Sequence, residues 1–274
     1  GEIDAPVKQY ADYRELLADP SIDAVMLCIP DHWHAIVATD AVLAGKHIYL
    51  QKPFTQTIEE GRVLRDLAMK MGTVLQVGSW QRSKPQYELV CNLVQQGRIG
   101  NVVKVEVGCG LDREGGRSAA EPVPANLDYD TWLGPTDHSA PYNWTRCHNQ
   151  DTKHIGDRPG WIQLAPYGWG MITNWGAHHL DIAQWGMDMD DDGPYKIIRS
   201  DEPYSTDLFH GGRRQFGMKM LFKSKKDGSD IELYHGPFGV ITGAGGWGTV
   251  FYGTKGIVAV NRGKLAVWKT NGLV

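Results

Sequence analysis

Short apolar runs alternate with longer helical stretches through roughly the first hundred positions. DAVMLCI (23–29) is almost unbroken and stops at Pro30, the pattern of a strand buried on both faces in a parallel sheet. HWHAIVATDAVLAG (32–45) then reads as a helix that stops at Gly45, and HIYLQ (47–51) as the next strand. Thr57 and Glu60 have capping-box spacing, which predicts a helix running to Met71. VLQVGS (74–79) is a third strand, and Ser83 with Gln86 predicts the start of a helix ending near Gly97. VVKVEVGC (102–109) is a fourth strand, and Asp12 to Ala18 a short leading helix. Such regular alternation predicts a doubly wound α/β layer.

After this the pattern changes. Residues 110–170 are rich in Pro, Gly, Trp and Asp and predict a long loop region with short helices. Ala177 to Met187 is helical. Beyond the acidic turn MDMDDDGP come strands without helices: QFGMKMLFKS and DIELYHG around the turn KKDG, then TVFYG, IVAVN and KLAVW separated by TKG and NRG. An antiparallel sheet with one or two helices is expected there. The predicted boundary near residue 83 gives domains 1–83 and 84–274.

Composition narrows the function classes. Of 274 residues, 42% are hydrophobic and 22% charged, with a net charge of −4, an ordinary globular balance with no basic excess for nucleic acid or an anionic membrane. No apolar run approaches the roughly 18 residues of a membrane span. Cys28, Cys91, Cys109 and Cys147 form no C-x-x-C pair and are read as free thiols, with no disulfide framework and no zinc site. The compartment stays open: cytoplasmic is the default, and an export signal would lie upstream of Gly1.

Three stretches carry candidate chemistry. In YLQKPFTQTIEEG (49–61), Lys52 stands at the carboxyl end of a strand, where open α/β sheets bind ligands, and Pro53 restrains its backbone. A lysine that loses solvation there would have a lowered pKa and could exchange a proton. The plain alternative is an exposed loop lysine. In NWGAHHLDIAQWG (174–186), Asn174, His178 and Asp181 share a helix face, so His178 could act as a general acid/base oriented by Asp181 or Asn174. The alternative is helix capping by His179 and Asp181. In PDHWH (30–34), packing over a cofactor or helix capping is favoured over metal ligation. GAGGWG (243–248) fits G-x-G-x-x-G, but a strand and a turn follow it, so it is not read as a dinucleotide fingerprint.

Together, DYRELLADPSIDAVMLCIPDHWHAIVATDAVLAGKHIYLQKPFTQTIEEG, VLQVGSWQRS, GRIGNVVKVEVG, YDTWLGP and NWGAHHLDIAQWG resemble the Gfo/Idh/MocA oxidoreductase family. The resemblance implies a partial Rossmann-type parallel-sheet domain followed by an α+β domain with an open, mostly antiparallel sheet. It implies NAD or NADP as cofactor and a sugar, glycoside or cyclitol as substrate. The family's E-K-P motif falls on Gln51, Lys52 and Pro53, making Lys52 the catalytic lysine. The D-x-x-x-H pattern falls on Asn174 and His178, making His178 the second catalytic residue. Cofactor contacts are expected from Cys28, Ile29, Pro30, His34, Gln51, Lys52, Pro53, Gln81 and Arg82. Substrate contacts are expected from Lys52, Trp161, Trp175, His178 and His179, with Trp132, Trp144 and Trp169 further candidates for stacking on a sugar ring.

Two substitutions depart from the family pattern. Gln51 replaces a glutamate and removes a charge beside Lys52, and Asn174 stands where many members have aspartate. The first βαβ unit, at least roughly 30 residues with the glycine loop, is expected to lie outside this sequence, and relatives run on past Val274. Self-association through sheet edges is expected to give a homo-oligomer. Other readings are an NAD-dependent glycosidase of the oxidation–elimination type, a metal-dependent hydrolase using His32, His34, His178 and Asp181, and a non-catalytic sugar-binding relative.

Overall fold

A computed structural model of the chain describes residues 7–109, 119–148, 160–200, 218–235, 247–269 and 272–273. The chain divides into two compact units, Gly1–Gly78 and Ser79–Val274.

The first unit runs α1 (Tyr13–Ala18), β1 (Ala24–Leu27), α2 (His34–Leu43), β2 (His47–Leu50), α3 (Ile58–Met71) and β3 (Leu75–Val77). Its sheet has the order β1-β2-β3, all parallel. The Thr57–Glu60 capping box forms as predicted: Thr57 Oγ1 accepts from the Glu60 N–H at 3.2 Å and Glu60 Oε2 from the Thr57 N–H at 2.9 Å. Gly72 ends α3 at φ 66°, a left-handed conformation that glycine adopts without Cβ strain. Val37, Ala38, Ala41 and Val42 of α2 pack with Leu27, Ile48 and Leu50 of the sheet and with Leu64 and Ala68 of α3. β1 departs from expectation. Leu27 is buried but Met26 is 68% exposed, because among the described residues helices cover one face of this edge strand. A 3-10 turn over Asp31–Trp33 precedes α2, which starts two residues later than predicted.

The second unit contains α4 (Pro85–Gln95), β4 (Val102–Cys109), α5 (Tyr129–Leu133), α6 (Trp144–Cys147), α7 (Met171–Asn174), α8 (Gly176–Gly186), β5 (Lys196–Ser200), β6 (Met218–Lys223), β7 (Asp230–His235), β8 (Trp247–Gly253), β9 (Gly256–Asn261), β10 (Lys264–Lys269) and β11 (Gly272–Leu273). The strand order is β11-β10-β9-β8-β4-β7-β6-β5, antiparallel throughout except for β4 beside β7. The run read as a fourth alternating strand is thus a central strand of this second sheet. The hairpins across KKDG and NRG form as expected, pairing Lys223 with Asp230 and Asn261 with Lys264.

Helices α4 and α8 lie on this sheet. Tyr87, Val90, Cys91 and Val94 meet Ile182, Ala183 and Met187 above Val105, Val107, Leu233 and Phe251. The approach of α8 requires Gly186, where a Cβ would come within 2.4 Å of the Phe251 ring. Ser83 does not cap α4. Lys84 holds the cap position without a side-chain bond and Pro85 opens the helix, its missing N–H falling where no helical partner exists. Residues 215–217 of QFGMKMLFKS and 243–246 of GAGGWG lie outside the described residues. Trp247 and Gly248 enter β8, with no helix N-terminus after them.

Candidate functional site

The site in the first unit grows from strand register. Leu27 pairs with Leu50, so residues 28–31 and 51–53 leave the sheet side by side at its carboxyl end. The Gln51 N–H donates to the Leu27 carbonyl at 3.0 Å, and the Gly78 N–H to the Leu50 carbonyl at 2.8 Å. Gly78 gives the Gln51 side chain its room, since a Cβ there would lie 3.1 Å from Gln51 Oε1. That oxygen accepts from the Lys52 N–H at 3.2 Å. Lys52 is half-buried, Pro53 is buried, and the peptide bond between them is cis.

His34 ties the two strand ends together. Its Nδ1 lies 2.6 Å from the Pro53 carbonyl oxygen and its Nε2 3.0 Å from that of Ile29. Both partners only accept, so the carbonyls favour a proton on each nitrogen, while burial pulls the imidazole pKa down more strongly. With the residue 1% exposed, both nitrogens are committed to the protein's own backbone. Cys28, by contrast, is exposed, and Ile29 and Pro30 are half-buried.

Asp31 joins the site although its position in the sequence does not single it out. It sits in the 3-10 turn after β1, 6% exposed. Burial pushes its carboxyl up to about 7, against the pull of the Lys52 charge. A carboxylic acid and an amine therefore share one partly desolvated place, each biasing the other's proton. A carboxylate directly after a strand end was the available signal; its burial was not visible in the pattern.

In the second unit, Asn174 closes α7 and His178 lies in the first turn of α8, with Trp175 at the junction. His178 is 3% exposed and stands edge-on to two indoles, 5.7 Å from Trp80 and 6.3 Å from Trp175 between ring centroids. Asp181 does not orient it. Its carboxylate takes Arg82 Nε at 2.9 Å and Nη2 at 2.7 Å, and Arg82 also reaches Asp190 at 2.7 and 2.8 Å. The two anions hold the guanidinium charged and fix Arg82 within its own unit.

His179 is fully buried. Its Nδ1–H donates to the Gly108 carbonyl at 2.6 Å, and its own carbonyl accepts from Thr249 Oγ1 at 2.9 Å, so it bolts α8 to β4 and β8. Burial lowers its pKa to about 4, leaving it neutral at pH 7. Gln81 is also fully buried, and both polar atoms of its carboxamide lack a hydrogen-bond partner among the described residues. Trp161 and Trp132 pack on the Leu133, Leu164 and Tyr167 cluster, and Trp144 lies against His148. Trp175 packs on Trp247 and His179, at centroid distances of 4.5 and 5.6 Å. Among the described residues no group of three or more His, Cys, Asp or Glu side chains could hold a metal ion. No described helix is long and apolar enough to cross a membrane.

A family model described as an oxidoreductase family with an NAD-binding Rossmann fold matches residues 2–79. A second, described as an oxidoreductase family C-terminal alpha/beta domain, matches residues 86–236. The cofactor class expected from the sequence agrees with the first description. The uncharacterized oxidoreductase YrbE of Bacillus subtilis is 33% identical over 119 residues, 43% of this chain and 32% of that protein. The scyllo-inositol 2-dehydrogenase (NAD(+)) of the same organism is 32% identical over 110 residues, 40% of this chain and 31% of the relative. A solved structure of levoglucosan dehydrogenase in complex with NADH and levoglucosan covers 97% of this chain and 63% of its own, with a TM-score of 0.61 at 20% identity, a likeness of fold. The matches thus span about a third of the length of these curated relatives.

Proposed function

Because the chain belongs to the Gfo/Idh/MocA oxidoreductase family, we propose that the protein is an NAD(P)-dependent dehydrogenase of a sugar, glycoside or cyclitol hydroxyl. The observation that carries this reading is the half-buried Lys52 beside buried Asp31 at the carboxyl end of a parallel sheet. The relatives named for scyllo-inositol and levoglucosan support the substrate class.

The residues present fit a dinucleotide. The sheet end of the first unit offers it a bed of exposed Cys28 and half-buried Ile29 and Pro30. The nicotinamide, when bound, accepts or returns a hydride. Lys52 takes the substrate hydroxyl proton as the carbon is oxidised and gives it back in reverse. His178 is the second acid/base group, with Trp175 edge-on beside it. His34 is a positioning residue that holds the Pro53 carbonyl, one residue past Lys52. Ionised Asp31 favours the ammonium form of Lys52, and protonated Asp31 releases it.

Self-association is part of the proposal. The outer strand β5, with Ile197 62% exposed, supports an edge-to-edge assembly. The test of function is the complete protein incubated with NAD or NADP and a panel of sugars and cyclitols. Reduced nicotinamide is expected with a subset of the panel. Cofactor binding without reduction by any member would overturn the reading.

A further inference from the structure

Arg262 stands out in the second unit by what surrounds it. It occupies the β9–β10 turn, ahead of Gly263, whose φ of 77° makes the turn. Its guanidinium carbon lies 3.9 Å from the Trp175 ring centroid and 4.5 Å from that of Trp80, so two indoles hold it. These same two indoles flank the His178 imidazole.

No carboxylate answers this charge: among the described residues Arg262 makes no ion pair and its guanidinium donates no hydrogen bond. Partial burial disfavours its charged form, and the ionisable neighbour that offsets this is the Tyr87 hydroxyl, not an acid. Arg82 of the same unit shows the contrast, neutralised by two carboxylates. A second cation, Lys84, lies over the Trp80 ring at 5.6 Å, also with no acid paired to it among the described residues. The face of this site beside His178 is therefore positively charged and aromatic. A guanidinium fixed by stacking keeps its planar fork free for a carboxylate at little cost in side-chain entropy.

We propose that the carbohydrate taken by this site carries a carboxylate, as a hexuronate does, and that Arg262 binds it. This rests on the sugar-binding reading given above. The scale suits it. Arg262 lies 4.5 Å from Trp80, whose centroid is 5.7 Å from that of His178, placing guanidinium and imidazole within about 10 Å of each other. That upper limit leaves room for no more than one sugar ring between the two groups. The planar fork matches the two coplanar oxygens of a carboxylate.

The test measures binding, so it does not depend on turnover. The complete protein is titrated with sodium glucuronate and galacturonate, with glucose and galactose, and with the methyl esters of the two uronates, following tryptophan fluorescence. Hexuronates are expected to bind more tightly than hexoses or esters. Arg262→Gln should weaken hexuronate affinity by roughly tenfold to a hundredfold and neutral-sugar affinity by far less. Arg262→Lys, which keeps the charge without the fork, should recover part of the loss. Both substitutions fall at an exposed position of the β9–β10 turn, where folding is not at stake. Equal binding of hexuronate and hexose, no hexuronate binding, or unaltered hexuronate affinity in Arg262→Gln overturns the inference. Cofactor reduction by neutral sugars without hexuronate binding would leave the dehydrogenase standing and this inference fallen. Hexuronate binding through Arg262 with no reduction by any sugar would do the reverse.

Discussion

Replacing Asp31 by asparagine tests the desolvated carboxyl directly. Its pKa rises from 3.8 to about 7 on folding, a net value in which the attraction of Lys52 already counts against burial. The native state therefore holds this proton over a range where the unfolded chain has released it. The linked stability is fully present below the unfolded value near 4 and is lost as pH rises through about 7. The loss amounts to about 1.4 kcal/mol per pH unit across that window, reaching at most roughly 4 kcal/mol above it. An asparagine side chain has no such proton to lose, so Asp31→Asn should match the parent near pH 4 and become more stable than it as pH rises toward 8. Urea unfolding of the complete protein, parent and variant, at half-unit pH intervals measures the difference. A difference that stays flat from pH 4 to 8, or grows as pH falls, refutes the reasoning. The same substitution should alter the pH profile of turnover around pH 7, where ionisation of Asp31 begins to bias Lys52 in the parent.

His179 gives the opposite sign: its pKa falls to about 4 on burial, so its contribution is present above the unfolded value near 6.5 and is lost as pH drops through 4, and His179→Phe should flatten the acid limb of the stability curve. His34→Ala removes the bridge between the Ile29 and Pro53 carbonyls and should lower kcat by roughly tenfold or more, with denaturation curves reporting a separate stability loss of about 2–4 kcal/mol for the buried ring. Arg82→Met leaves Asp181 and Asp190 facing each other without their cation and should cost about 1–3 kcal/mol in unfolding measurements, a loss that Asp190→Asn in the same chain partly restores.

Elements built by local chemistry were legible in the sequence. The Thr57–Glu60 box, the Gly72 stop, the hairpin turns and the strand ending in Gln51-Lys52-Pro53 each depend on residues close in sequence. What was missed depended on partners far away. The boundary near residue 83 put VVKVEVGC in the second domain, but its pairing with β7 and β8 is not visible in the run itself. Ser83 and Gln86 have cap spacing, yet Pro85 between them decides where the helix begins. Asp181 lies one turn from His178, but Arg82, 99 positions earlier, claims its carboxylate. Helical spacing limits which groups can meet and leaves open which charge wins. The roles of Asp31 and Arg262 likewise follow from burial and stacking, which short-range pattern does not encode.

The central claim is that Lys52 moves the proton of the substrate hydroxyl. Lys52→Met in the complete protein, compared with the parent for cofactor reduction and cofactor binding on the first sugar found to turn over, tests it most directly. The account predicts that kcat falls by at least about a thousandfold while cofactor affinity changes by less than roughly tenfold. A variant that turns over within a few-fold of the parent would contradict it.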